Sequence, residues 1–190
     1  CWLISDEVYH QITFNGLAAP SFLKFSKPND RLIVINSASK SFDMTGWRIG
    51  WITHPEELGE HIAKLVQITT TGVPEFLQIG FIAALQNYKN ITNDLRQRLK
   101  KSRDMMFDKL STWNQVECSI PEAAFYAFFK VKGMDNSLEF AKKLIIETNV
   151  GVAPGIAFGE SGEGHLRICF AAKENFIQEK PCSKHNFSIN

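Results

Sequence analysis

The sequence predicts an α/β layer, a mostly parallel sheet with covering helices, followed by a smaller α+β domain. Three observations lead there. The run RLIVIN (31–36) is apolar almost throughout, the pattern of a parallel strand covered on both faces. Helical periodicity then dominates from about residue 55 to about residue 110. Beyond about residue 111 the texture changes to short strands, QVECSI, AFYAFFKV and HLRICFA.

Taken in order, residues 1–5 read as the end of a strand, 31–36 as a second and WRIGWIT (47–53) as a third. Pro55 suits the first turn of a helix reaching about Ile68, since that position needs no backbone N–H. A second helix is expected from about Glu75 to Tyr88. A third runs from about Thr92 to Leu110, with Leu95, Leu99, Met106 and Leu110 at helical spacing. A further helix at about 136–147 separates the last two strands. These readings divide the chain into residues 1–90, an interdomain helix at 91–111 and a small domain at 112–190.

Composition narrows the function classes. With 21 basic and 20 acidic residues the net charge is +1, which argues against an electrostatic nucleic-acid or membrane partner. No apolar run approaches the roughly 18 residues of a membrane helix. The start, CWLISDEVYH, lacks the basic and apolar regions of a signal peptide. Cys1, Cys118, Cys169 and Cys182 are scattered, which fits reduced thiols in a cytoplasmic compartment. A chain that opens directly on a strand also points to further sequence upstream.

Three clusters carry candidate chemistry. SASKSFDMTGWRIG (37–50) places Lys40 just past the carboxyl end of a buried strand, where open α/β sheets bind ligands. An amine there can form a Schiff base with a carbonyl. Ser37 and Ser39 add hydroxyl donors, and Arg48 a planar fork suited to phosphate. On these residues alone, a solvated surface lysine fits as well as a catalytic one.

In SDEVYH, Asp6 ends a strand and Tyr9 follows in a loop. A carboxylate can keep a ring nitrogen protonated, and a phenol can donate to an anionic ring oxygen. The plainer reading is a capping aspartate and a half-buried tyrosine. In GEGHLRICFA, Arg167 sits among apolar strand residues and suits bidentate binding of a carboxylate, or else lies on an exposed strand face. His165 reads as structural, and APGIAFG (153–159) as a connection able to cover a site.

SDEVY, SASKSFDMTGWRIGW, PEAAFYAFFKV and VAPGIAFGESGEGHLRICFA together resemble the class I/II aminotransferases, fold type I enzymes that use pyridoxal 5′-phosphate (PLP). The four blocks share the family's order and approximate spacing over residues 1 to about 175. The resemblance implies the C-terminal part of a PLP-dependent transferase large domain plus the small domain. It implies that Lys40 holds the cofactor as a Schiff base and moves the substrate α-proton. It pairs Asp6 with the pyridinium nitrogen and Tyr9 with the 3-oxygen. Ser37, Ser39 and Arg48 correspond to phosphate contacts, and Arg167 to the clamp on the substrate α-carboxylate. Met44, Gly46 and Trp47 are read as packing and turn residues.

The implied partners are an amino acid and a 2-oxo acid, with a homodimer in the full-length protein; TTTGVPEFLQ (69–78) resembles a segment near the dimer interface. No metal is expected. Two other outcomes share these motifs or part of them: a carbon–sulfur β-lyase, and a non-catalytic effector-binding domain or degenerate fragment.

Three departures stand out. The family's upstream half has no counterpart here, so the chain alone is expected to fold poorly and to have little activity. The usual Gly-Ala-Phe-Tyr reads Ala123-Ala124-Phe125-Tyr126, and a methyl at the first position shifts the loop if that residue has positive φ. From about residue 175 the tail diverges, with Pro181 where a helix would continue.

Overall fold

The computed structural model describes residues 1–172 and Ile177. The chain divides into two compact units, Cys1–Arg96 and a second beginning at Gln97. The divergent tail, Ile177 apart, lies outside the described residues.

The first unit holds a three-stranded sheet of β1 (Leu3–Asp6), β2 (Leu32–Ser37) and β3 (Gly50–Thr53), in that order. β1 and β2 run parallel, with Asp6 beside Ile35, while β3 returns antiparallel with Ser37 opposite Gly50. The sequence run 47–53 therefore contains two structures: a 3-10 turn at Thr45–Trp47, then a strand that starts only at Gly50. Arg48 separates them in the left-handed region, at φ 54°, which no strand residue adopts. A side chain at Gly50 would put its Cβ 3.0 Å from the Asn36 carbonyl, so glycine allows β3 to close on β2.

β2 is not equally covered on its two faces. Leu32, Val34 and Asn36 are buried, whereas Ile33 and Ile35 are half-exposed, and Leu3, Ile4, Trp51 and Ile52 of the neighbouring strands are exposed.

Between β2 and β3 lies the short helix α1 (Ala38–Ser41). After β3, a 3-10 turn at Glu56–Leu58 leads into α2 (Gly59–Thr69), so Pro55 precedes the turn and caps it. α3 (Glu75–Gln86) follows, and α4 (Tyr88–Leu110) begins four residues earlier than the periodicity indicated. Ala38, Phe42, Met44, Ile49 and Phe81 form the core beneath α1, with Phe42 and Phe81 edge to face at 5.2 Å. Trp47 lies over Gly80 of α3, where a Cβ would come within 2.5 Å of its ring. Met44 and Trp47 are thus packing residues, as read, and Gly46 sits in the turn.

In the second unit, β4 (Val116–Glu117), β5 (Tyr126–Val131), β7 (His165–Cys169) and β6 (Ala153–Pro154) form an antiparallel sheet in that spatial order. β6 falls in a segment that reads from sequence as a connection. QVECSI supplies only two strand residues. AFYAFFKV becomes strand at Tyr126, because Ala124 takes φ 61°. α5 (Ser137–Thr148) packs against β6 and β7, and the Asn136 side chain accepts from the Glu139 N–H to cap it. On α4, Leu99, Phe107 and Leu110 are buried; Phe107 takes the inward place that spacing had given to Met106.

Candidate active site

β1 and β2 end together at their carboxyl edge, and the first cluster of candidate residues gathers there. Asp6 is the last residue of β1 and is exposed; its Oδ1 accepts from the Val8 N–H at 3.2 Å. The strand end is fixed by the Glu7 N–H, which donates to the Ile35 carbonyl at 2.9 Å. Tyr9 stands in the following turn, half-buried, with its carbonyl accepting from the Ile12 N–H at 2.8 Å. Arg96 of α4 secures the loop beyond it, donating from Nε to the Gln11 carbonyl at 2.6 Å.

Ser37 ends β2 and caps α1. Its Oγ accepts from the Ser39 N–H at 3.0 Å and donates to the Ile49 carbonyl at 3.1 Å. That hydroxyl proton is already committed to β3's approach. Ser39 is buried, and Arg48 Nη1 reaches its Oγ at 3.5 Å while donating to the Thr45 carbonyl at 3.1 Å. The left-handed backbone at Arg48 turns this side chain back toward α1. Lys40, on α1, is half-buried between buried Ser39 and Ser41. Ser41 Oγ donates to the Val8 carbonyl at 3.0 Å and so joins the lysine helix to the loop after Asp6.

Asp6, Tyr9, Ser37, Ser39, Lys40 and Arg48 therefore all belong to the first unit. Arg167 belongs to the second, on β7, half-buried and opposite Phe128 of β5. Its Cζ lies 4.5 Å from the Tyr126 ring centroid and 4.4 Å from that of Phe158. His165 stacks on Phe128 at 4.9 Å, a packing contact that agrees with a structural reading.

Sequence reasoning passed over Ser41 and Arg96, because a hydrogen bond to a loop carbonyl 33 or 85 residues away leaves no local signature. It also passed over Tyr126 and Phe158 as neighbours of Arg167. The altered Ala-Ala-Phe-Tyr motif behaves differently from the condition set for it: the positive φ falls on Ala124, not on Ala123. The methyl that departs from the family pattern is therefore not the one in a left-handed conformation.

The donor set suits an anionic aldehyde cofactor such as PLP. Arg48 and the Ser39 hydroxyl converge on one spot, the Lys40 amine stands on the same helix, and a carboxylate closes the adjacent strand. Among the described residues no helix is long and apolar enough to cross a membrane.

Comparison with known proteins identifies the family. A family profile, Aminotransferase class I and II, matches residues 1–177. An LL-diaminopimelate aminotransferase of Natranaerobius thermophilus is 33% identical over 183 residues, covering 95% of this chain and 47% of that protein. A probable aspartate aminotransferase of Methanocaldococcus jannaschii is 34% identical over 183 residues, 93% of this chain and 47% of the other. The solved structure of an aromatic aminotransferase from Pyrococcus horikoshii superposes with a TM-score of 0.86 at 28% identity, over 94% of this chain and 48% of that one. The chain spans about half the length of the relatives it matches. Enzymes of this family depend on PLP and share the fold type I architecture, and this chain belongs to the class I and II aminotransferase family.

Proposed function

We propose that the protein containing these residues is a PLP-dependent aminotransferase, moving an amino group between an L-amino acid and a 2-oxo acid. The observation that carries this reading is the grouping at one sheet edge of Lys40, the Arg48–Ser39 pair and Asp6. When bound, the cofactor supplies an aldehyde for the amino group and an aromatic ring that accepts electron density from the substrate Cα.

The chain's own residues supply the rest. Arg48 and Ser39 would hold the phosphate through a charged fork and a hydroxyl, and Ser37 would join them only if its hydroxyl turned from the Ile49 carbonyl. Asp6 would keep the ring nitrogen protonated by ion pairing. The Tyr9 hydroxyl would donate to the ring oxygen. Lys40 would hold the aldehyde through its amine and would serve as the base that takes up the proton from the substrate Cα. Arg167 grips a substrate carboxylate in its planar fork.

About half of the length of the relatives lies outside the part that this chain covers. Exposed apolar side chains on α2 and α3, Leu65, Ile68, Phe76, Ile79 and Ile82, support a homodimer of the complete protein. A cytoplasmic setting accords with the scattered cysteines, of which Cys1, Cys118 and Cys169 are free.

The test is spectroscopic. PLP added to the protein is expected to give a visible absorption band that Lys40→Ala abolishes, together with transfer of an amino group to a 2-oxo acid. No band in the unsubstituted protein overturns the assignment. A band with release of pyruvate and ammonia from cystathionine, and no transfer, replaces it by a β-lyase.

A further inference from the structure

β5 and β7 pair antiparallel, with Tyr126 opposite Cys169, Phe128 opposite Arg167 and Lys130 opposite His165. Strand alternation sends Ala127, Phe129, Val131 and Leu166 into the core. Tyr126, Phe128, His165 and Arg167 occupy the other face. There the Arg167 guanidinium meets two rings, Tyr126 at 4.5 Å and Phe158 at 4.4 Å. Phe158 in turn meets Phe128 edge to face at 5.8 Å, and Phe128 lies flat on His165.

Among the described residues, no carboxylate pairs with Arg167; its recorded contacts are these rings. A ring face attracts the cation without using its N–H groups, so the fork stays available to a planar anion. The arrangement also restricts a long, flexible side chain before any ligand arrives, which lowers the ordering cost of binding.

Phe158 is held in place by its loop. Gly155 and Gly162 approach so closely that a Cβ on Gly155 would lie 1.8 Å from the Gly162 carbonyl oxygen. The Ile156 N–H donates to Ser137 Oγ at 3.2 Å, tying the turn Gly155–Phe158 to the start of α5. Glu163 Oε1 accepts from the Ser137 and Gly164 N–H groups at 2.6 and 2.9 Å, fixing the far end of the loop.

We propose that Phe158 and Tyr126 are positioning residues that hold the Arg167 guanidinium ready for a substrate carboxylate. The proposal rests on the reading of Arg167 as a carboxylate site. Its test uses butyrate, a carboxylate with no amino group to react, and butyramide as the neutral control, titrated into the full chain by ligand-observed NMR. The Arg167 Nε–H resonance, identified by its loss in Arg167→Ala, reports the ring contacts directly.

Butyrate is expected to bind and butyramide not, with Arg167→Ala abolishing binding. Phe158→Leu and Tyr126→Leu are each expected to weaken butyrate about 3- to 10-fold, the range of one cation–π contact. Each should also move the Arg167 Nε–H resonance downfield as the ring's shielding is lost. Phe158→Tyr and Tyr126→Phe, which keep the rings, should restore both readouts. Phe158 is 47% exposed, so its truncation leaves the core intact; Phe158→Met serves if the leucine variant does not fold. Leucine variants that bind butyrate as tightly as the unsubstituted chain, while Arg167→Ala does not bind, overturn the clamp and leave the carboxylate reading standing. Butyrate binding that survives Arg167→Ala, or is absent from the unsubstituted chain, overturns both.

Discussion

Ser41 Oγ donates to the Val8 carbonyl at 3.0 Å, so the helix that carries Lys40 is fastened to the loop that follows Asp6. Lys40 on that helix and Asp6 at the end of β1 supply the amine and the carboxylate of the candidate site, and this bond adds to the β1–β2 pairing that holds them at one edge. Ser41 is 2% exposed, so its removal leaves a carbonyl without its partner in a dry place. Ser41→Ala is expected to lower stability by about 1 kcal/mol, read as a shift of the urea midpoint at unchanged slope. It should also weaken PLP binding by a smaller factor than substitution of Lys40.

Arg48, proposed above as a phosphate contact, has a left-handed backbone at φ 54°. Asparagine tolerates that conformation, so Arg48→Asn removes the fork without adding backbone strain. PLP affinity is expected to fall at least about tenfold, the scale of one charge-assisted hydrogen bond, with little change in thermal midpoint. An unchanged affinity would remove Arg48 from the phosphate site.

Ala124 holds φ 61°, where a Cβ is unfavourable. Ala124→Gly relieves that strain but adds unfolded-state entropy, for a net stabilisation of about 0.5 kcal/mol. Ala123→Gly has only the entropy cost and is expected to destabilise slightly. Paired denaturant titrations separate the two signs.

The Glu163 carboxyl is held below the ordinary glutamate value by the Gly164 N–H first, then by the Ser137 side chain and N–H. A depressed carboxylate contributes stability that is present above its unfolded pKa of about 4.3 and is lost as pH falls through the folded value. The wild-type midpoint is therefore expected to drop more steeply on acidification below pH 4.3 than that of Glu163→Gln. Equal slopes in a pH series of thermal melts would refute the link.

Gly162 meets the Gly155 carbonyl oxygen at 2.2 Å from where a Cβ would stand. Gly162→Ala must push two backbone segments apart and is expected to cost about 2 kcal/mol or more. Calorimetry checks the cost, and the Arg167 Nε–H resonance should shift in the same variant, since the Phe158 turn moves with the loop.

Much of the fold was legible because its signals are local. Leu95, Leu99 and Leu110 mark the buried side of α4, and Asn136 caps α5 three residues before the N–H it accepts. The misplaced boundaries have local causes too: Arg48 and Ala124 take left-handed backbones, so β3 begins at Gly50 and not Trp47, and β5 at Tyr126 and not Ala124. β6 was illegible because two residues, Ala153 and Pro154, are too few to show alternation. Likewise, RLIVIN reads as covered on both faces, yet Ile33 and Ile35 are half-exposed, since cover depends on what packs against a strand and not on the strand itself.

By itself the sequence determined the chemical inventory: one lysine after a buried strand, hydroxyls beside it, an arginine eight residues on, and the order of blocks that marks the family. Those properties follow from residue type and near spacing. Only the tertiary structure decided which groups share an edge: Arg48 with Ser39, Ser41 with Val8, Arg96 with Gln11, and two rings against Arg167. Each is a contact made by chain reversal, by strand pairing or by a left-handed residue, and such contacts are set by packing the whole unit.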